Sequence, residues 1–209
     1  MALEEYYIDK LDYKAAMNIV IEKHYLHRAA PCSFAFGLFR EGVFFPELVG
    51  VVVYGTPSSS ALRKGICGEE YENDVIELTR LWIDDTVPKN GESFLIGNTL
   101  NLVDKDIIVS YSEIEEGHIG TVYQATNFLY TGLSAKRTNW EVEGLDKHNH
   151  TLVDKYSSQE IRELYGDKFS LVDRPRKHRY VYLKGNKWRK KELKNALKYE
   201  IMPYPKKRI

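Results

Sequence analysis

The fold is decided by the stretch 75-VIELTRLWIDDTVPKNGESFLIGNTLNLV-103 and by the residues that follow it to Gly132. Val75 to Ile83 alternates partly between apolar and polar side chains, which predicts a strand. From Phe94 to Val103 the apolar residues recur three and four apart, which predicts a helix. The turn between them contains a glycine, so the helix would present free backbone N–H groups to an anion such as a phosphate. An ordinary strand–turn–helix unit is the alternative interpretation.

The residues after this unit continue the alternation of strands and helices. Asp106 to Ser112 predicts a second short strand, and Gly117-His118 opens a predicted helix from Ile119 to Asn127. Phe128-Leu129-Tyr130 then leads into Thr131-Gly132. A strand that ends in polar residues, followed by a helix that closes on an aromatic residue and a glycine, resembles the second half of the GNAT acyltransferase fold.

The N-terminal half supplies the elements that precede this region. Tyr6 to Leu11 predicts a strand, and Asp12 is a candidate N-cap for the helix that follows. Ser33 to Phe39 predicts another strand, and the apolar run from Leu48 to Val53 suits the centre of a covered sheet. His178 to Leu183 predicts a last strand inserted beside the earlier ones. The predicted fold class is therefore α/β (α+β), a single GNAT-like domain with a mixed, split central sheet flanked by helices.

Length and composition predict one domain over residues 1–209. A chain of 209 residues with 43% hydrophobic content can bury a substantial core. Within it, residues 139–172 predict a polar insertion, and residues 173–209 form a basic C-terminal segment. The sequence has no apolar run near the roughly 20 residues that span a bilayer, and its N-terminus lacks a signal-peptide profile. With only two isolated cysteines, a cytoplasmic protein without a membrane partner is expected.

A net charge of zero hides a strong asymmetry. Residues 173–209 contain 14 Lys and Arg against 3 Asp and Glu, so this segment carries +11 and the rest of the chain −11. Basic side chains neutralise phosphates, and aromatic residues such as Trp188 and Tyr199 could stack on unpaired bases, so a nucleic acid is the predicted partner. A solvated surface that pairs with the acidic remainder is the alternative. The candidate DNA-binding residues are Arg179, Lys187, Arg189, Lys190 and Lys191.

His24 and His27 stand three residues apart at the end of the first predicted helix, just before Pro31. At this spacing both face nearly the same side of the helix. They are candidates for a divalent metal site or for placing a general base. The alternative is that these histidines only cap the helix C-terminus against its dipole.

Six segments form an ordered set along the chain: His24-Tyr25, Glu77 to Trp82, Lys89 to Ser93, Ser110 to Ser112, Gly117 to Phe128 and His178 to Val181. Together they resemble the Mom-type DNA-modification proteins of bacteriophages. The resemblance runs from about Tyr6 to the Tyr204-Pro205-Lys206 tail and is thinnest across residues 139–172.

This resemblance implies an activity and a site. Mom-type proteins have a GNAT-related fold and add a carbamoylmethyl (acetamido) group to N6 of adenine in phage DNA, which blocks host restriction enzymes. It implies an enzyme that acts on double-stranded DNA in the host cytoplasm, with iron(II) as a candidate cofactor and a catalytic or metal-binding role for His24 and Tyr25. It also implies a pocket between the segments Arg80–Ser93 and Ser110–Tyr123. A homodimer is a candidate assembly, and the group donor stays open.

The chemistry of such a reaction sets requirements for the site. The exocyclic amine of adenine is a poor nucleophile, because its lone pair is delocalised into the ring. An enzyme must remove a proton as the new bond forms and hold the electrophile close. In a duplex the base must also leave the stack, and a Tyr or Trp face could hold it. The candidate catalytic residues are His24, Tyr25, Arg80, Ser110, Tyr123 and Asn127. Each has a structural alternative: Asn127 suits a helix C-terminus and Tyr123 a packed core.

The predicted cofactor-binding loop consists of Lys89, Asn90, Gly91, Glu92 and Ser93. GNAT pyrophosphate loops usually carry Arg or Gln, two further residues, a Gly, one residue and then Gly or Ala, whereas this loop has one glycine and one carboxylate. A carboxylate beside a diphosphate is unfavourable, which weakens acetyl-CoA as the group donor. A GNAT N-acetyltransferase that uses acetyl-CoA on a small amine or a protein lysine remains the alternative function, and a non-enzymatic nucleic-acid-binding module is a third.

Overall fold

The computed structural model of the protein describes residues 3–115, 117–144 and 157–206. These residues form nine strands and six α-helices. The strands are β1 (Tyr6–Lys10), β2 (Phe34–Arg40), β3 (Glu47–Gly55), β4 (Val75–Ile83), β5 (Ile107–Glu113), β6 (Leu129–Leu133), β7 (Arg137–Val142), β8 (Phe169–Arg174) and β9 (Lys177–Leu183). The helices are α1 (Tyr13–Lys23), α2 (Ser60–Cys67), α3 (Gly91–Thr99), α4 (Thr121–Ala125), α5 (Ser158–Tyr165) and α6 (Lys187–Ala196), with short 3-10 helices at Glu69–Asp74 and Gly166–Lys168.

Seven strands form one sheet in the order β1-β2-β3-β4-β5-β9-β6. All neighbouring pairs are antiparallel except β4 and β5, which run parallel. β9 enters between β5 and β6, beside the earlier strands as the sequence predicted. The prediction of a mixed central sheet is therefore confirmed.

The sheet splits between β4 and β5. The two strands pair only from Val75 opposite Ile107 to Glu77 opposite Val109. Beyond these pairs the backbone ladder stops, and the Ser110 hydroxyl donates to a β4 carbonyl at 3.2 Å across the start of the gap. The predicted split of the sheet lies at this point.

A bulge in β4 coincides with the split. Tyr54 of β3 pairs with Leu78, but the preceding residue Val53 pairs with Arg80, so Thr79 has no partner in the ladder. A bulge bends its strand and re-aims the side chains next to it. The second half of β4 therefore leaves β5 while it keeps its pairing with β3.

Helices cover both faces of the sheet. Because successive side chains of a strand point to opposite faces, Val75 and Ile76 belong to different clusters. Ile76 packs with the side chains of α3, among them Leu95. Val75 packs with Ile66 of α2 and Leu193 of α6. Buried side chains of α1 pack against β2 and β3 in a third hydrophobic cluster. Each fully buried side chain of this size contributes about 1.5–3 kcal/mol relative to an exposed one.

The start of α1 agrees with the sequence, and the start of α3 does not. The Asp12 side chain accepts the Ala15 N–H at 3.0 Å, as an N-cap does. The helix α3 begins at Gly91 and not at the predicted Phe94, because Asn90 adopts a left-handed conformation (φ 76) that starts it three residues earlier. The predicted cofactor-binding loop therefore includes the first turn of α3.

The predicted polar insertion is bounded by a separate two-stranded sheet. β7 and β8 pair antiparallel, from Arg137 opposite Arg174 to Val142 opposite Phe169. The predicted short helix is present as α5, which Ser157 begins with a capping box. Residues 145–156 of the insertion and 207–209 of the basic segment lie outside the described residues. Of the helices that are described, none is long and apolar enough to cross a membrane, and the homodimer stays a prediction.

Arg189 fastens α6 to the sheet, and this generates a first prediction. Its guanidinium donates to Asp74 at 2.7 Å, to Asp106 at 2.8 Å and to Glu192 at 2.9 Å. We expect Arg189→Ala to lower the free energy of unfolding by about 1–2 kcal/mol, because these partly exposed charged hydrogen bonds are lost. Lys191→Ala, an exposed change on the same helix, should alter it by less than about 0.5 kcal/mol. Urea unfolding measures both variants, and equal effects would contradict this role of Arg189.

Candidate active site

A cleft of about 1120 Å³ opens where β4 and β5 part. Its walls come from the C-terminal end of α1, the second half of β4, the end of β5 and the segment Gly117 to Tyr123. Both charge signs are present on these walls. The basic lining residues are Lys23, Arg28, Arg80, Arg174 and Lys177, and the acidic ones are Glu77, Asp85, Glu92 and Glu113.

His24 lies immediately after α1, and its ring is buried against the cleft. Its Nδ1 accepts the Leu26 backbone N–H at 3.1 Å. Burial, together with the nearby charge of Arg80, lowers the pKa of His24 to about 4. The ring is therefore neutral at physiological pH, and because Nδ1 acts as an acceptor the proton resides on Nε2. His24 can donate a hydrogen bond from Nε2, but it offers no free lone pair for the general base that the sequence suggested.

Tyr25 stands between two histidine rings at the cleft. It stacks on His24 with ring centroids 4.4 Å apart and meets His118 edge-on at 6.4 Å. About half of its surface, 49%, is exposed. An exposed aromatic face beside a cleft can stack on an unpaired base. The ring is thus placed to hold a planar substrate rather than to fill the core.

The predicted metal ligands His24, Tyr25 and His27 do not fit one ion in this arrangement. The Nε2 of His24 carries the ring proton, so it has no lone pair for a metal. The His27 backbone is left-handed (φ 45), and its Nδ1 donates to the Ile21 carbonyl at 3.0 Å, which directs the exposed ring back along α1. Within the ranges that the structure describes, no three His, Cys, Asp or Glu side chains form a group able to hold a metal ion.

Glu77 and Arg80 present unpartnered atoms in the cleft. Glu77 is the last β4 residue paired with β5, and no described residue donates a hydrogen bond to its carboxylate. Burial raises the pKa of Glu77, partly opposed by Lys177 and Arg80. The Nη atoms of Arg80 donate to the carbonyls of Thr79 at 2.6 Å and Ala29 at 3.4 Å, but its buried Nε has no partner among the described residues. Since unpaired buried polar atoms are costly, both side chains are suited to contact a bound molecule.

The remaining candidate catalytic residues have different positions. Ser110 is buried between the strands and does not line the cleft. Tyr123 does line it, but its ring packs on Phe128 and Tyr180 at centroid distances of 5.4 and 5.3 Å, and burial raises the pKa of Tyr123 to about 12. Asn127 is exposed outside the cleft with φ 62, just after α4. Its position matches the alternative interpretation of a residue that ends a helix.

The predicted cofactor-binding loop contributes one side chain to the cleft. Among its five residues, only Glu92 is part of the lining. The Gly91 N–H donates to the Pro88 carbonyl at 3.1 Å, so it is not available to an anion. Gly91 also packs so closely that a Cβ would lie 2.5 Å from the Val87 side chain. Packing therefore accounts for the glycine, and the carboxylate of Glu92 occupies the side of the cleft where the sequence placed a phosphate.

The candidate DNA-binding residues fall into two groups. Arg179 is buried, and its guanidinium lies 3.3 Å over the Tyr199 ring. Arg189 is held by Asp74 and Asp106, which precede β4 and β5, and is thus at the end of the sheet away from the cleft. Both arginines are therefore used inside the fold and are not displayed to a partner. The exposed members, all on α6, are Lys187, Lys190 and Lys191.

Comparison with known proteins shows the family to which the chain belongs. The profile of the Mom protein family matches residues 5–206. The chain belongs to the Mom protein family. It is 26% identical over 211 residues to methylcarbamoylase mom of Escherichia phage Mu, an alignment that covers 97% of this chain and 85% of that protein. The resemblance noted in the sequence is therefore confirmed.

A solved structure shows the scaffold on which this Mom-family chain is built. The ribosomal-protein-S5-alanine acetyltransferase of Vibrio fischeri aligns with a TM-score of 0.50 and 10% identity, over 88% of this chain and 95% of that one. At this identity the likeness concerns the fold alone. The predicted GNAT-like fold is confirmed, and the activity of the Vibrio enzyme is not transferred with it.

The cleft of this Mom-family protein contains residues that the sequence did not single out as candidates. Glu77 gave a usable signal, since a carboxylate close to the apolar start of a predicted central strand is costly to bury without a partner. Arg28 and Arg174 gave none, because their contacts with the cleft depend on chain segments that are distant in sequence.

The neutral state of His24 leads to a prediction on pH. The pKa of His24 is about 4 in the folded protein and about 6.5 when unfolded. Between these values the unfolded chain binds more protons, so stability should fall as the pH drops, by up to about 1.4 kcal/mol per pH unit. His24→Asn, which retains an acceptor for the Leu26 N–H but does not titrate, should lack this loss. Urea unfolding from pH 7 to 4 tests the difference, and parallel profiles of the two proteins would rule it out.

Proposed function

We propose that this protein is a DNA-modifying enzyme that adds a carbamoylmethyl (acetamido) group to the N6 amine of adenine in double-stranded DNA and so protects the DNA from restriction. The proposal rests on membership of the Mom family over residues 5–206 together with a cleft that combines an unpartnered carboxylate, an unpartnered guanidinium nitrogen and an exposed aromatic ring. The Mu relative is named a methylcarbamoylase, which supports transfer of a carbamoyl-containing group.

Glu77 is assigned as the proton acceptor. An adenine N6 amine becomes nucleophilic only as it loses a proton, and the acceptor must have an available lone pair and a pKa near the working pH. Burial raises the pKa of Glu77, and the described residues leave its carboxylate without a donor. In the reaction the N6–carbon bond forms, the donor's leaving group departs with its electron pair, and the N6 proton passes to Glu77.

His24 and Arg80 are assigned as donors to the transferred group. His24 and Arg80 both line the cleft, and the described residues leave the Nε2–H of the neutral His24 ring and the buried Nε of Arg80 without partners. The carbonyl oxygen of a carbamoyl group accepts hydrogen bonds from such atoms, so these donors would hold the group with its methylene carbon placed for attack by N6. Since the pKa of His24 is far below 7, this donor is present without a competing positive charge.

Tyr25 is assigned as the surface that holds the extruded base. A base in a duplex cannot enter a cleft until it leaves the stack, and aromatic faces offset the lost stacking. Tyr25 stacks on His24 and is 49% exposed. The ring that would hold the base therefore also positions His24, one of the two proposed hydrogen-bond donors.

The group donor and the metal are separate questions. Glu92 in the cleft lining disfavours a diphosphate, so an activated carbamoylmethyl compound of lower negative charge fits better than acetyl-CoA. Among the described residues no three His, Cys, Asp or Glu side chains form a group able to hold iron(II), and the assignments above do not require it. An acetyl-CoA-dependent N-acetyltransferase, which the GNAT-like scaffold alone would suggest, is the competing function.

Expression of the protein should alter the DNA of its host. We expect a heavier deoxyadenosine in the nucleoside digest of plasmid DNA, and resistance of that DNA to restriction enzymes whose sites contain adenine. Mass spectrometry and restriction digestion measure these outcomes, with cells lacking the protein as the control. Fully cleavable DNA, combined with acetyl transfer from acetyl-CoA by the purified protein, would instead establish the competing function.

Replacement of Glu77, the proposed proton acceptor, should slow the reaction strongly without unfolding the protein. Glu77→Gln keeps the size of the side chain and removes the proton acceptor, so modification should fall by about 10²–10⁴-fold. In the parent protein the rate should drop as the pH falls through the raised pKa of Glu77, whose carboxylate must be ionised to act. Glu70→Gln, an exposed change far from the cleft, is the control. A pH profile of the residual Glu77→Gln activity identical to the parent's would refute the assignment.

A further inference from the structure

Three basic residues cluster where the two-stranded sheet leaves the main sheet. Arg137 begins β7, Arg174 ends β8, and these two residues are direct cross-strand partners. Lys136 precedes Arg137 and is exposed with it. We call Lys136, Arg137 and Arg174 the hairpin-base cluster. Its position joins the cluster to the cleft, because Arg174 is part of the cleft lining.

The second arginine, Arg137, acts electrostatically on a residue of the cleft lining. Tyr111 lines the cleft, and burial raises the pKa of its hydroxyl, while the charge of Arg137 opposes that shift. Arg137 is therefore within electrostatic range of a cleft residue. On the opposite wall, Arg28 is exposed and close enough to Arg80 to lower the pKa of that guanidinium. Positive charge is thus present on both sides of the cleft.

The arrangement of the hairpin-base cluster is unfavourable in the protein alone. Like charges directly opposite each other on paired strands repel. Within the described ranges, no acidic side chain forms an ion pair with Lys136, Arg137 or Arg174. By contrast, the neighbouring Lys177 is paired with Glu113. A row of cations that the fold leaves unneutralised beside a cleft suits a partner that carries closely spaced negative charges.

The exposed lysines of α6 are in a different position. Arg189 fixes α6 to Asp74 and Asp106, at the starts of β4 and β5. Arg80 of the cleft lies six positions after Asp74 along the chain, roughly 20 Å at the usual rise of a strand. The hairpin-base cluster supplies a residue of the cleft lining, Arg174, whereas no residue of α6 is part of that lining.

We propose that Lys136, Arg137 and Arg174 clamp the phosphate backbone of double-stranded DNA and set the target nucleotide over the cleft. This inference rests on the proposed function for the identity of the polyanion. It assigns the main DNA contact to the base of the β7–β8 hairpin and not to the lysine-rich helix that the sequence favoured.

Two double variants with the same loss of charge test the clamp. Arg137→Ala/Arg174→Ala removes two cations from the hairpin base, and Lys190→Ala/Lys191→Ala removes two from α6. Fluorescence anisotropy with a labelled adenine-containing duplex, measured across a series of salt concentrations, gives the affinity and its salt dependence. The hairpin variant should bind at least about tenfold more weakly at low salt, with a salt slope reduced by about 2, because two phosphate contacts are lost. The α6 variant should keep the slope of the parent.

Folding and function are controlled separately. Because removal of two opposed arginines relieves a repulsion, the hairpin variant should melt no lower than the parent. A parental slope for the hairpin variant, or loss of the slope in the α6 variant, overturns the clamp. Nucleoside mass spectrometry of DNA from cells that express the parent protein separates the two proposals. If the parent modifies adenine and the hairpin variant binds DNA as the parent does, only the clamp is refuted. If the parent leaves the DNA unmodified and the hairpin variant binds more weakly, only the proposed reaction is refuted.

Discussion

The parallel ladder between β4 and β5 ends after three residue pairs, and the cleft exists because it ends there. Hydrophobic side chains on both faces of Val75–Glu77 and Ile107–Val109 hold the strands together, while the bulge at Thr79 bends β4 away. Backbone groups that lose their ladder partners must be satisfied elsewhere, and the Ser110 hydroxyl satisfies one of them at the start of the gap. The role of Ser110 is thus to stabilise the open edge that the cleft requires.

The opening of the sheet also determines the electrostatics of the site. Side chains at the split are surrounded by protein on several sides, so burial disfavours charge on His24 and Glu77 and shifts their pKa values in opposite directions. The same burial makes His24 a neutral donor and Glu77 a stronger base than an exposed carboxylate. One structural feature therefore produces both halves of the proposed acid–base chemistry, and the Leu26 N–H selects which nitrogen of His24 carries the proton.

Basic residues of the C-terminal segment, residues 173–209, serve three different purposes. Arg189 and Arg179 bind acidic, hydroxyl and aromatic groups inside the fold, Lys177 pairs with Glu113 at the cleft, and Arg174 is left without an acidic partner among the described residues. Net charge by segment cannot distinguish these cases, because a count of charges contains no information on which ones are neutralised. That is why the sequence pointed to α6, and why the fold points to the base of the hairpin.

The sequence by itself determined the order of strands and helices, the capped start of α1, the mixed sheet and the family, because periodicity, capping and ordered motifs are properties of neighbouring residues. It also found Tyr25 and Arg80, which line the cleft. It misplaced the start of α3, where the left-handed Asn90 and the tight packing of Gly91 decide the boundary. Only the tertiary structure decided that Glu77 is unpartnered, that His24 and His27 point to different partners and that Arg137 faces Arg174. These are contacts between segments far apart in the chain, and burial and pairing arise only when the fold brings such segments together.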